Sequence, residues 1–541
     1  MSGVFSIIQR RIDFSDDKVR LLILFIIAFC IRFVLQFFNI VFEGDEMNYA
    51  QLAKNLYYGE GYTVTFINFL YLSSSFGSPD FYWPPLMPYT IYFFYLIFGV
   101  SDFSAKLVSV IFGSLLVFPI YFLGKELFNE QIGFLSALLV SISRSMVWFS
   151  IQVFSDIPLA FFLAVCVYWN IKNAKTNDLK YGILSGVFFG LAYLTRFSAI
   201  IFLPVLLFNL LYLGKMKKGV YSLFIFIASF FIIISPWLIR NVLLTGSLFF
   251  SEKSVALANY MLGGNYEANF YGLTAPPSPI QIFLANPLSV ISKWTIGIYL
   301  QYKVFPEYLT PLLFVLGCVG GLVSTNKLQQ RLVLFLLIFT NFAFYGIAVY
   351  AGRIGAVSRY NLAIYPFIFI FCARGILKLQ DLIPKNILDL EIRKFKLKRY
   401  IIIIVTLIVI IEALVITTSN IVRFEGKNDS LELYNAGIWL KENTDPNAIL
   451  MSRKDIIPYY AERCSVRLPF GDFSTIIRVA REYEAQYIII DERAIAETRA
   501  DLPEQFGLLD ENSAPSNLKV VYLDTVSEYK VVIYLITSYT V

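Results

Sequence analysis

Apolar runs of ~20 residues, the length a helix needs to cross a bilayer, recur from Leu21 almost to Asn420 and exclude an ordinary water-soluble fold. Of the 541 residues 57% are hydrophobic and only 16% are charged, against about 25% charged in a soluble globular protein. The bilayer is therefore the main solvent, and no run has to be read as a removable signal peptide.

The runs fall at 21–42, 104–124, 131–148, 158–171, 180–195, 197–213, 220–239, 308–324, 329–350, 360–377 and 400–418. The stretch 83–99 is short, opens on Trp83-Pro84-Pro85, and either crosses or lies along the surface. With the N-terminus inside and 83–99 not crossing, Arg10, Arg11, Lys18 and Arg20, Lys172 and Lys175, Lys215, Lys217 and Lys218, Lys327 and Arg331, and the cluster Arg393 to Arg399 all fall on cytoplasmic loops. That satisfies the rule that basic loops stay inside, and an additional span within 284–300 would be compatible with a crossing 83–99. The expectation is a polytopic α-helical membrane domain over 1–420, with about 11–13 transmembrane helices and two long outer loops, 43–103 and 240–307.

Residues 421–541 form the second expected domain. Helix-like segments at 431–442 and 473–484 alternate with strand-like segments at 448–452, 487–491, 519–523 and 529–536, which predicts a small α/β domain on the extracytoplasmic side.

The net charge of +6 is spread in short clusters between apolar runs, which suits membrane lipids and topology and gives no reason to propose a nucleic-acid partner. Of the five cysteines four sit in apolar runs and Cys464 stands alone in the tail, so neither a disulfide framework nor a CxxC metal site can be read. The chain has no histidine, which excludes Ser-His-Asp and Cys-His catalysis and HExxH zinc sites. Acid–base chemistry falls to carboxylates.

Glu43-Gly44-Asp45-Glu46, followed by Tyr49-Ala50, lies where the first span leaves the membrane. Acids at a membrane boundary are costly unless solvated or used; a plain solvated loop would carry them too. Asp156, between two spans, falls on the same expected face, as do Arg144, Arg196, Arg240, Arg353 and Arg359. Any one arginine reads as a snorkelling anchor, but five on the face that the positive-inside rule depletes invite a function. Transfer of a sugar from a lipid phosphate needs such a set: one carboxylate to accept the acceptor's proton, and cations to balance charge on the departing phosphate. Glu267, in the second loop, reads as a solvated acid, and the aromatic stretches 66–71 and 89–95 as interfacial belts.

Several motifs, in order, resemble the GT-C glycosyltransferases, in particular the branch of protein mannosyltransferases and lipid A aminoarabinose transferases: Asp45-Glu46 with Tyr49-Ala50, Asn55-Leu56, Gly59-Glu60-Gly61-Tyr62, Tyr82-Trp83-Pro84-Pro85-Leu86, Gly190 to Arg196, Pro236-Trp237 with Arg240-Asn241, and Arg359-Tyr360 with Pro366. The resemblance covers about the first 380 residues. It implies that Asp45 is the catalytic base, with Glu46 and Asp156 as further site acids; that Arg196, Arg240 and Arg359 bind the donor phosphate; and that Tyr49, Trp83, Pro84 and Pro85 position acceptor or lipid. The implied donor is a polyprenyl-phosphate sugar used with inversion, and the acceptor a lipid, glycan or protein. No cofactor is expected to be required, although oligosaccharyltransferase relatives hold a divalent cation, so Mg or Mn stays an alternative. The histidine that protein mannosyltransferases often carry beside the Pro-Pro-Leu element is missing. The rival reading is a transporter or flippase of lipid-linked sugars, against which stand the absent repeat symmetry and the long loops.

Overall fold

The computed structural model describes residues 17–38, 41–42, 44–72, 74–213, 217–263, 266–322, 328–350, 357–382, 391–392, 395–396, 430–499, 501–524 and 529–540, with isolated positions 404, 407, 408 and 411. The run predicted at 400–418 and Arg353 therefore lie outside the described residues, apart from those four positions.

The membrane part is a bundle of apolar helices. α1 (Asp17–Leu35) leads through a loop to α2 (Glu46–Tyr57) and α3 (Leu86–Phe98), followed by α4 (Asp102–Leu115), α5 (Val117–Leu127), α6 (Glu130–Ile142), α7 (Arg144–Ser150), α8 (Asp156–Thr176), α9 (Leu179–Thr195), α10 (Leu203–Leu213) and α11 (Lys217–Thr245). The second loop carries α12 (Lys253–Leu262), α13 (Tyr266–Tyr271) and α14 (Pro279–Ala285), and the bundle resumes with α15 (Pro287–Leu309), α16 (Pro311–Leu322), α17 (Leu328–Tyr350), the single turn α18 (Val357–Tyr360) and α19 (Tyr365–Leu382). Five helical stretches among the described residues are long and apolar enough to cross a membrane, and two bent pairs, α6 with α7 and α15 with α16, bring the number to seven if each pair counts as one span. The 13 residues of α3 reach only about 20 Å at 1.5 Å per residue, short of the ~30 Å hydrocarbon layer. Ser289, Ser292, Lys293, Gln301 and Lys303 break the apolar run of α15, so in sequence only its first half, within the expected additional span 284–300, resembles a membrane helix.

Packing follows from side-chain size. Where α16 crosses α19, Gly320 and Gly375 let the backbones touch: a Cβ at Gly320 would lie 1.9 Å from the Phe371 carbonyl oxygen, and one at Gly375 2.0 Å from that of Leu316. Such small-residue crossings let membrane helices gain van der Waals contact. Arg32, fully buried in α1, donates through its two terminal nitrogens to the carbonyls of Ala28, Val140 and Ser141, at 2.9–3.0 Å.

The tail contributes helix α20 (Leu431–Asn443) and a sheet whose strands run β3 (Ser465–Arg467), β2 (Leu450–Ser452), β4 (Tyr487–Asp491), β6 (Val531–Ile536), β5 (Leu518–Asp524) in spatial order. β2, β3 and β4 are parallel; β6 runs antiparallel to both β4 and β5. One further strand, β1 (Phe66–Ile67), comes from the first loop and pairs in parallel with β3, Phe66 opposite Ser465. The sheet thus reaches beyond the tail. The cores join as well: Phe42, Trp83 and Tyr95 share one buried cluster with Leu433, Leu440, Ile457 and Tyr459. Residues 66–71 are accordingly part strand and part cluster, with Phe69 packed on Tyr82 and Phe270, instead of an interfacial belt.

Candidate active site

Gly44, at φ +60°, turns the chain after α1 into a backbone region that costs glycine least. Asp45 then stands at the N-cap of α2 without bonding its backbone, so its carboxylate is free for other partners. Asp156 opens α8, where the helix dipole favours an anion. Arg196 ends α9 in extended backbone, and Arg359 lies on the short turn α18.

Four elements distant in sequence thereby bring two acids and two arginines together. Arg359 Nη2 donates to Asp45 Oδ2 at 2.5 Å and its Nε to Asp156 Oδ2 at 2.9 Å. Arg196 Nη1 donates to the other oxygen of Asp156. Asp156 is the buried member, at 5% side-chain exposure, while Asp45 is 35% exposed. The chain of contacts runs Arg196–Asp156–Arg359–Asp45, with Asp45 at its open end.

That end faces a cavity of about 240 Å³, lined among others by Asp45, Tyr49, Pro84, Arg196, Arg359 and Lys253. Among the described residues Asp45 is the only acid in its lining. Lys253, at the start of α12, holds its ammonium 4.1 Å from the ring centre of Tyr82 and 4.0 Å from that of Trp83. Aromatic residues Tyr82, Tyr260, Phe270, Phe344, Tyr345 and Tyr360 form much of the remaining wall.

Burial opposes ionisation of Asp45 more than any other single influence, yet the nearby charges of Arg359 and Lys253 outweigh it and hold the carboxyl at about 2. Lys253 shifts the other way. Burial, with the repulsion of Arg196 and Arg359, draws its ammonium down to about 7 despite the attraction of Asp45.

Of the other expected site residues Tyr49 and Pro84 line the cavity, whereas Glu46, Arg240, Trp83 and Pro85 lie around it. Glu46 is buried and accepts a hydrogen bond from the Val153 backbone N–H at 2.5 Å, a tie between α2 and the turn before α8. Arg240 donates to the Asp80 carbonyl at 2.9 Å and stacks on Trp237, its guanidinium 4.5 Å from the ring centre. It braces the turn before Trp83-Pro84-Pro85, whose backbone Asp80 holds through the N–H groups of Tyr82 and Trp83 at 2.9–3.0 Å. Trp83 backs the cavity against Tyr49, ring centres 4.9 Å apart. Tyr49 shares a 2.9 Å hydrogen bond with Ser155, and Pro85 caps α3. Arg144 begins α7 outside the lining. Lys253 was missed because Ser251-Glu252-Lys253 reads as an ordinary polar loop; its position beside aromatic residues in space leaves no trace in local sequence.

Residues 83–239 match the family of dolichyl-phosphate-mannose-protein mannosyltransferases. No curated protein sequence matches the chain. Among solved structures, the archaeal oligosaccharyltransferase AglB from Archaeoglobus fulgidus, in complex with an inhibitory peptide and a dolichol-phosphate, superposes with a TM-score of 0.61 at 15% identity, over 96% of this chain and 74% of that one. An Archaeoglobus fulgidus oligosaccharyltransferase in complex with Zn and sulfate gives 0.60 at 15%, over 94% and 72%. ArnT from Cupriavidus metallidurans, bound to undecaprenyl phosphate, gives 0.53 at 12%, over 95% and 97%. Residues 83–239 thus resemble the dolichyl-phosphate-mannose-protein mannosyltransferases, and the chain as a whole shares the fold of the oligosaccharyltransferase AglB and of ArnT.

Proposed function

We propose that the protein is a membrane glycosyltransferase that moves a monosaccharide from a polyprenyl-phosphate carrier to a lipid, glycan or protein acceptor on the extracytoplasmic face, with inversion. The observation that carries this reading is a single cavity carboxylate, Asp45, set among Arg196, Arg359 and Lys253. The bound dolichol-phosphate of AglB and undecaprenyl phosphate of ArnT support a carrier of that chemistry.

In the proposed reaction an acceptor hydroxyl or amine attacks the anomeric carbon, the bond from that carbon to the phosphate oxygen breaks with its electron pair, and the acceptor's proton passes to Asp45. The carrier leaves as a phosphomonoester with one more negative charge than the diester had, and Lys253 and the arginines meet that charge. A carboxyl held at about 2 is a weak base, but the acceptor becomes acidic only as its bond to carbon forms, so a weak base suffices at that moment. Asp45 is the one acid in the lining among the described residues, which supports a single displacement with inversion over a route through a glycosyl-enzyme.

The described residues do not offer a ligand set for a resident divalent cation. Asp45 is committed to Arg359, and among the described residues no three His, Cys, Asp or Glu side chains converge on a point. No step here runs through a metal.

The test is sugar transfer from polyprenyl-phosphate donors by the purified protein, wild type beside Asp45→Asn, with carrier binding followed in parallel. Losing a positioned base is expected to cost about 10²–10⁴ in turnover with carrier binding kept. Full activity in the variant would refute the mechanism, and a wild type that binds the carrier but transfers no sugar would favour the transporter reading.

A further inference from the structure

Open α/β sheets bind ligands beyond the carboxyl ends of their parallel strands, at the point where strand order reverses. In the tail that point lies between β2 and β4, since the chain goes from β2 to β3 on one side and returns to β4 on the other. Arg453 follows β2 directly, Arg467 ends β3, Asp491 ends β4, and Arg499 follows the short helix Glu492–Thr498 after it.

What fills this crevice is the protein's own second loop. Glu267, on α13, is buried at 5% side-chain exposure and receives both Nε of Arg453, at 2.7 Å, and its Nη2. Arg499 Nε reaches the same carboxylate at 3.1 Å, while its remaining nitrogens bind the carbonyls of Leu468 and Pro469 and the side chain of Gln505 at 2.8–2.9 Å. The ring of Tyr271 lies beneath the guanidinium groups of Arg453 and Arg467, at 4.5 and 5.1 Å, and its carbonyl accepts from Phe470 N–H at 2.9 Å. Arg467 also binds Asp455, which accepts from Asn48 Nδ2 at 3.1 Å. Asn48 is three residues beyond Asp45.

The same two helices carry the cavity wall. Phe270, between Glu267 and Tyr271, lines the cavity beside Tyr260, ring centres 6.0 Å apart, and α12 presents Lys253, Ala256, Leu257 and Tyr260 to it. The far end of α12 is held by Lys293 of α15, which donates to the Leu262 carbonyl at 2.6 Å.

We propose that Glu267 is a positioning residue: gripped by Arg453 and Arg499 in the crevice of the tail's sheet, it sets the wall formed by α12 and α13, and Lys253 with it, against Asp45. The consequence for carrier binding rests on the function proposed above; the mechanical part does not. Two opposite charges removed together differ from one removed alone, since a single change leaves a buried charge unpaired.

The experiment uses the full chain in lipid nanodiscs as wild type, Glu267→Asp, Glu267→Gln and the double variant Glu267→Gln/Arg453→Gln, with undecaprenyl phosphate as the probe and amide hydrogen exchange read across 253–271. Expected are faster exchange confined to 253–271 in Glu267→Gln, carrier binding weakened by about tenfold or more through misplacement of the wall, recovery of both in Glu267→Asp, and a double variant no weaker in carrier binding than Glu267→Gln. Carrier binding at wild-type strength in a Glu267→Gln variant with loosened exchange would overturn the positioning role, and so would unchanged exchange. If Glu267→Gln fails to fold, the Glu267→Asp and double variants decide by the same two readouts. A wild type that does not bind undecaprenyl phosphate would count against the carrier reading alone. Exchange would then decide the clamp: a rise confined to 253–271 supports it, and no rise overturns it.

Discussion

Arg359 Nη2 lies 2.5 Å from Asp45 Oδ2, across 314 residues of sequence. The same guanidinium binds Asp156 through Nε, so one planar group fixes the orientation of the exposed carboxylate against the buried one. A lysine offers a point charge where this geometry needs a fork. Arg359→Lys is therefore expected to behave much like Arg359→Gln, each losing about 10²–10³ in kcat/KM. The two should differ from wild type in pH dependence as well. Asp45 must be ionised to act; its carboxyl is held down at about 2, and losing Arg359 lets it rise towards the ordinary value of about 3.9. A pH–rate profile of Arg359→Gln should lose activity at higher pH on acidification than wild type does. An unshifted acid limb would show that Asp45 is not the titrating group.

Lys253 gives the opposite limb. Burial draws its ammonium to about 7, so the cation is present below that pH and is lost as pH rises through it. For the free enzyme kcat/KM for the phosphate-linked donor should decline above about 7, and the decline should disappear in Lys253→Met, whose affinity is low throughout. Lys253→Arg, which stays charged, should move the decline out of range. Steady-state kinetics from about pH 5 to about pH 9 on the three proteins, a range that brackets the ammonium's pKa on both sides, would decide it, and an alkaline limb retained by Lys253→Met would assign it elsewhere.

How much of this could be read beforehand depended on whether a residue's surroundings are local. The bundle was legible because membrane helices must be apolar along their length, and Asp45, Asp156, Arg196 and Arg359 stood out as charges at the margins of such runs. Arg240 stood out for the same reason, yet it braces a turn through the Asp80 carbonyl; sequence registers the charge and not its direction. Glu267 carried the reverse error. It read as a solvated loop acid and is buried between Arg453 and Arg499, because its partners lie more than 180 residues away. β1 was invisible for a similar reason, since two residues, Phe66–Ile67, make no periodic pattern and become a strand only against β3.

The crossing of α16 and α19 predicts a stability effect with no site chemistry in it. A methyl group at Gly320 would meet the Phe371 carbonyl oxygen at 1.9 Å and the Gly375 backbone nitrogen at 2.8 Å, and backbone atoms cannot move aside as a side-chain end can. Gly320→Ala should cost about 1–3 kcal/mol by overpacking, read as a lowered midpoint of thermal unfolding in detergent. Gly507→Ala, where an added Cβ meets nothing within 4 Å, should leave the midpoint unchanged or slightly raised. Equal midpoints for Gly320→Ala and wild type would show that the two helices pack less closely than described.

The pairing of β1 with β3 predicts that the first loop depends on the tail. Ser465 N–H donates to the Thr65 carbonyl at 3.2 Å, so this donor points at the first loop, whereas β2 on the other side is bonded through the Cys464 carbonyl, which accepts from Leu450 N–H at 3.0 Å. Ser465→Pro removes the one donor and leaves that bond to β2. Losing it is worth about 1 kcal/mol, enough to speed amide exchange several-fold across 62–72 while β2 and β4 keep their protection. Because Asn55 Nδ2 ties α2 to Thr63 and Thr65 at 2.8–3.3 Å, the loosening should reach the helix that begins after Asp45 and lower turnover more than carrier binding. Ser465→Ala keeps the N–H and should match wild type. If Ser465→Pro also exposed β2 and β4, the sheet would be acting as one unit, and the first loop would be part of its core instead of an edge laid against it.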